Sequence, residues 1–167
     1  MIEISDYIGN REIFQDRVSR LQQHVSPLWG KMKPQQMVAH LADEVKWSNG
    51  KAPCCCIVSE EQALRNKEIM IYTDIIIPKN YYIGELPPHY LTMDLNDAVG
   101  QLMEQLYRFD RHFVDELHAE VHPRFGPLVK SEWVIWQQKH FSHHLMQFSI
   151  IPETIESMNN QDLNDCI

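Results

Sequence analysis

Between Asp94 and His118 the apolar residues Leu95, Val99, Leu102, Leu106, Phe109, Phe113 and Leu117 recur three or four positions apart, holding one stripe for about six helical turns. A segment with that period is an amphipathic helix, and its apolar face has to be covered by other elements. The remaining segments offer helices for that purpose. Arg11 to about Val25 sets Ile13 or Phe14, Val18, Leu21 and Val25 at helical spacing before Ser26-Pro27 stops the run. Pro34 suits the first position of a helix that passes Met37, Leu41 and Val45 and ends at Gly50. Ser59-Glu-Glu-Gln62 reads as a capping box for a third helix. We extend that helix to Ile77: the β-branched run Ile75 to Ile77 suits a strand, but no second strand-like run stands ready to pair with it. Ser131 is placed to cap the last helix, Trp133 to about Ile150, which Pro152 ends.

The predicted fold is therefore all-α: an up-and-down bundle of four long helices plus a shorter one, in a single domain over residues 1–152, with a polar, acidic tail at 153–167. Residues 78–93, with Pro78, Gly84, Pro87 and Pro88 among Tyr81, Tyr82 and Tyr90, form a long connection of the kind that lies over a site. His122-Pro-Arg-Phe-Gly-Pro127 breaks the chain before the last helix and is read as a turn, with no credible sheet.

Fifteen basic against 23 acidic residues give a formal net charge of −8, which repels a phosphate backbone and argues against nucleic acid as a partner. No run approaches the roughly 18 apolar residues of a membrane span, and MIEISDYIGNREIF lacks the pattern of a secretory signal, so a cytoplasmic chain is expected. Cys54, Cys55 and Cys56 stand together and Cys166 lies far from them, a spacing that offers neither a disulfide framework nor paired metal ligands. Reduced, inert thiols are the expectation.

The chain holds nine histidines. On a helix, His140 and His144 lie about 40° apart on one face, the spacing that lets two imidazoles converge on one ion, whereas His143 and His144 are about 100° apart. The face of His140 also carries Trp133, Trp136 and Gln147, so the pair projects into an aromatic interior. A hydrogen-bonded core pair would satisfy the same spacing. A metal shell needs a third ligand from another helix, and His40, one turn before Glu44 on the second helix, is the candidate. Glu44 then serves as a base, a fourth ligand or an acceptor for an imidazole N–H, and Gln147 suits the last of these roles. His143 is read as flanking, His24, His89, His112 and His118 as surface or loop residues, and His122 as a structural turn residue within reach of a substrate. Trp47, Trp133 and Trp136 fit the core.

The segments PLWGKMKPQQMVAHLADEVKWSNGK around His40, HPRFGPL at 122–128 and EWVIWQQKHFSHHLMQF around His140 and His144 cover about half of the chain, and together they resemble an uncharacterised branch of the DinB/YfiT-like superfamily. That resemblance implies a four-helix bundle, a homodimer, and a divalent metal ion, zinc or nickel, held by His40, His140 and His144. Better-known relatives carry HRGQ at the last histidine, whereas this chain has His144-Leu-Met-Gln147 and keeps only the glutamine. The implied function is that of a metal-dependent enzyme acting on a small molecule, as a hydrolase or as a transferase using a small cellular thiol, with Glu44 and Gln147 as supporting groups. The alternative is a non-catalytic bundle that binds a metal or a small molecule.

Overall fold

Helix starts along the chain are set by side chains that accept the backbone N–H groups a first turn leaves over. The computed structural model describes residues 9–81 and 87–152, and in it α1 (Arg11–Ser19) opens on Asn10, whose Oδ1 accepts from the amides of Glu12 and Ile13. Pro34 begins α2 (Pro34–Ser48), with the Gln36 side chain accepting from the Lys33 amide at 2.9 Å. Ser59 caps α3 (Glu60–Tyr72) through Gln62 N, and Asp94 caps α4 (Leu95–His112) through Asn96 and Asp97. The last helix, α5 (Lys130–Gln147), starts earlier than predicted. Its cap is not Ser131: Glu132 reaches back to accept from the Val129 amide at 2.9 Å.

The chain is mostly helical, and it also contains a small sheet that the sequence reading denied. Strands β1 (Ala119–His122) and β2 (Gly126–Val129) pair antiparallel, with Ala119 opposite Val129 and His122 opposite Gly126. Pro123, Arg124 and Phe125 form a three-residue loop closed by Gly126 at φ +69°, a recurrent hairpin connection with glycine in the left-handed position. Four-residue strands carrying a proline are too short to show alternation, so the hairpin read as a plain turn.

Three helix ends also differ from expectation. Helix α1 stops at Ser19, and Arg20 and Leu21 turn back in tight bonds to the carbonyls of Arg17 and Val18. Helix α3 stops at Tyr72, not Ile77. Thr73 Oγ1 donates to the Ile69 carbonyl and accepts from the Ile75 amide, and Lys139 from α5 reaches the carbonyls of Thr73 and Ile75, so the isoleucine run leaves the helix with its polar groups met from outside. Helix α4 ends at His112, six residues short of the predicted His118; Phe113 still packs inward, whereas Leu117 is 85% exposed.

Helix α2 lies chiefly along α4, and Met37, Leu41, Leu102, Leu106, Trp133 and Phe141 fill the shared interior. Buried polar ties fix the neighbours of α2. Asn49 donates to Gln105 on α4 at 3.1 Å, and Gln137 on α5 donates to Ser48 Oγ at 3.0 Å. A 3-10 turn, Pro88–Leu91, folds from the long connection onto α2, where the Tyr90 hydroxyl donates to Asp43. Among the described residues no helix is long and apolar enough to cross a membrane. The expectations for the tail at 153–167 and for Tyr82 and Gly84 fall outside the described residues.

Candidate metal centre

The middle of α2 and the last two turns of α5 bring His40, His140 and His144 to one point. Nε2 of His140 lies 3.1 Å from Nε2 of His40 and 3.0 Å from Nε2 of His144. The three rings meet edge to face, with centroids 4.7 to 5.2 Å apart. Metal–nitrogen bonds of about 2.0–2.1 Å place neighbouring ligand nitrogens about 3.3 Å apart in a tetrahedron and about 3 Å apart on one face of an octahedron, so this spacing fits an ion.

Proton counting sharpens that fit. Gln147 is oriented by the bond from its Nε2 to the Trp29 carbonyl at 2.9 Å, which turns its Oε1 toward His144 Nδ1, also at 2.9 Å. The Nδ1 of His144 therefore carries the proton, and its Nε2 presents a lone pair. His140 Nδ1 lies 2.7 Å from Glu44 Oε2, off the line of a hydrogen bond, and this carboxylate favours the neutral tautomer with the ring proton on Nδ1. Two lone pairs then face each other at 3.0 Å, which demands an electropositive centre between them. One proton bridges one nitrogen pair; an ion serves all three nitrogens at once. Burial supports neutral ligands, since it lowers His40 to about 4 and His144 well below 6.5, with the neighbouring imidazoles adding to the effect.

Glu44 is the outer support of this group. Burial alone would raise its carboxyl, but the nearby His140 first, and then His40 and His122, outweigh that and lower it to about 2. Trp136 stacks on His140 at 5.3 Å and its indole N–H reaches Glu44 Oε2 at 3.4 Å. Glu44 Oε1 is 3.9 Å from His40 Nε2. The loop before α2 closes the other side: Leu28 N–H donates to the Gln147 carbonyl at 2.8 Å, and Gly30, at φ +75°, leaves space where a Cβ would come within 2.9 Å of Gln147 Nε2. The sequence analysis gives Trp29 and Gly30 no role, because a contact from residue 29 to residue 147 leaves no local signal.

His143 stays outside the group. Its Nδ1 pairs with the Ile77 carbonyl at 3.2 Å and its ring meets Trp29 edge to face. Trp133 is core, its N–H spent on the Glu120 carbonyl. Cys54 is half-buried and Cys55 and Cys56 are exposed; burial raises the Cys54 thiol, as suits an unreactive group.

A second cluster, not foreseen, joins His112, His118 and Glu120 where α4 gives way to β1. His112 Nε2 and His118 Nε2 lie 2.6 and 2.9 Å from the same oxygen, Glu120 Oε1. A cavity of about 300 Å³ adjoins the first group, with Glu44 and Trp136 in its wall together with Trp47, His122, Arg124 and Phe125. His122 is buried and stacked on Phe125, so the turn histidine is a cavity residue. No protein-family model, curated protein or solved structure matches the chain.

Proposed function

We propose that this chain is a divalent-metal-dependent enzyme acting on a small molecule, as a hydrolase or a small-thiol-dependent transferase, built as a divergent DinB/YfiT-like up-and-down four-helix bundle. The observation that carries the reading is the convergence of His40 Nε2 and His144 Nε2 on His140 Nε2, at 3.1 and 3.0 Å, with all three ligand atoms within 4.8 Å of one another. Zinc or nickel suits three imidazole nitrogens. When bound, such an ion supplies Lewis acidity toward a substrate oxygen or thiol.

The chain's own groups divide the remaining work. Gln147 fixes the tautomer of His144, and Glu44 Oε2 fixes His140. Because Oε2 is engaged by His140 and Trp136, Glu44 Oε1 is the atom left to accept a hydrogen bond from a substrate approaching beside His40. His40 is the more open ligand, its side chain 20% exposed against 5% for His140, which marks the side of approach. A homodimer is the setting we assign on the same resemblance.

One observation favours a second reading, a metal-holding binder without turnover: the cavity wall includes Glu44 and Trp136 but none of the three histidines. Untagged protein loaded with zinc or nickel and assayed against thiol acceptors, esters and amides separates the two. Turnover that disappears in His144→Ala supports the enzyme. Equal rates in both proteins, or no metal uptake by the unaltered chain, overturn the proposal.

A further inference from the structure

The polar residues around the cavity of about 300 Å³ spend their hydrogen bonds on one another and leave carbon facing inward. Asn66 on α3 donates to the Arg124 carbonyl at 3.1 Å and accepts from Gln62 at 2.7 Å. Arg124 gives an N–H to the Tyr81 hydroxyl at 3.1 Å, and its amide donates to His122 Nδ1 at 3.2 Å. Ile57 N–H donates to the Pro123 carbonyl at 2.8 Å, which ties the loop before α3 to the hairpin. Glu44 Oε2 takes the Trp136 N–H at 3.4 Å and lies against His140 Nδ1. The surface left to the cavity is almost wholly apolar, with Trp47, Ile57, Met70, Phe125 and Trp136 in its wall.

Such a space suits neither water nor an ion. Water needs two to four polar partners, by the usual count of about three. The wall includes one carboxylate, Glu44, and one guanidinium, Arg124, so neither sign of charge is favoured. An ion that left solvent here would find almost no polar surface to replace it. An apolar guest loses nothing on entry and restores the dispersion contacts that an empty space forfeits. A dry apolar cavity of about 150 Å³ takes one benzene ring, so about 300 Å³ has room for roughly nine or ten carbon atoms. Phe125 and Trp136 meet edge to face at 4.8 Å and form a corner against which a third ring can pack. Cys54 is half-buried and Ile57 is 68% exposed, so these two mark the outer edge of the cavity.

We propose that this cavity binds the uncharged apolar body of a small molecule, a fused bicycle or a branched aromatic ring, entering past Ile57 and Cys54. The site needs the hairpin, α3 and Trp136, not the histidine triad, so it stands apart from the metal reading.

The test is calorimetry on the full chain, metal-free and zinc-loaded, with indane, indane-2-carboxylate and 2-aminoindane, which share one shape and differ in charge. Indane is expected to bind at least about tenfold more tightly than either ion. It should bind the metal-free chain as well as the zinc-loaded one, so that failure of metal uptake leaves this site standing. Methyl-labelled methionine NMR locates the guest, with the Met70 signal assigned through Met70→Leu. Ring current should move the Met70 methyl and leave that of Met103, which is buried outside the cavity wall, in place. Met70→Gln, which puts an amide in the apolar wall, should weaken indane by about tenfold. Should that variant fail to fold, the methyl shift in the unaltered chain carries the test. No saturable binding of indane, tighter binding of the acid or the amine, a Met70 methyl that stays in place, unchanged affinity in folded Met70→Gln, or binding that requires zinc each overturn the proposal.

Discussion

The two histidine clusters use nearly the same residues and differ in where their protons are. At His112, His118 and Glu120, two ring nitrogens point at one carboxylate oxygen, and each N–H has an acceptor. Burial would raise Glu120, but the hydrogen bonds from His118 and His112 hold it below its ordinary range. That cluster is complete as it stands, and His118 is 44% exposed. At His40, His140 and His144, protons are drawn to the outer nitrogens of His140 and His144, and the inner nitrogens face one another. Ring spacing does not distinguish the two, with His112 and His118 5.1 Å apart between centroids; spare lone pairs aimed inward do.

The largest expected effect tests that contrast directly. Untagged protein equilibrated with zinc and desalted should retain metal in His118→Ala as in the unaltered chain, and should retain none in His144→Ala, measured by elemental analysis. Metal added at about a hundred times its dissociation constant should raise the stability of the intact chain by roughly 3 kcal/mol and leave His144→Ala unchanged. Equal metal loss in the two variants would erase the distinction.

Acid sharpens it next. His122 has its pKa lowered from 6.5 to about 4 by burial, so from pH 6.5 down to 4 the unfolded chain takes up a proton that the folded chain refuses. Stability therefore falls as pH drops through that window, by roughly 3 kcal/mol for one such histidine. In metal-free protein the loss between pH 7 and 4.5, from urea midpoints, should be roughly 2–3 kcal/mol smaller in His122→Phe than in the unaltered chain. An identical loss would mean that His122 is not buried in its neutral form.

The sequence made the helices and the triad legible for different reasons. Caps such as Ser59 and Asp94 and the stripe of α4 are local, so their period is written in neighbouring residues. His140 and His144 follow from helical spacing alone, whereas His40 was a candidate from its place in the middle of another helix, to which the resemblance also pointed, because no rule of period joins residue 40 to residue 140. Helix ends and the hairpin were misjudged where a distant group decides. Lys139 meets the carbonyls that end α3, and Glu132 replaces Ser131 as the cap of α5. The same holds for Trp29, whose carbonyl fixes Gln147 across the chain.

Gly30 carries the third effect. Its positive φ disfavours any side chain, and a Cβ there would press on Gln147 at 2.9 Å, the group that sets the proton of His144. Gly30→Ala should weaken zinc binding by about 10- to 100-fold, the usual scale for losing an outer partner of a ligating imidazole. Competition with a chromogenic chelator measures it. Affinity unchanged in a folded variant would show that Gln147 does not govern the ligand.

Gly50 is the matched control and the smallest effect. It too has positive φ, +69°, and a Cβ would come within 2.7 Å of His112 Cε1 in the hydrogen-bonded cluster. Because that cluster holds its own protons, Gly50→Ala should destabilise the chain by roughly 1–2 kcal/mol through backbone strain and a displaced ring, with no change in zinc affinity. Urea unfolding and the same chelator competition separate the two quantities. If zinc affinity falls as far in Gly50→Ala as in Gly30→Ala, the two clusters are coupled or both take metal, and the proton count that sets them apart fails.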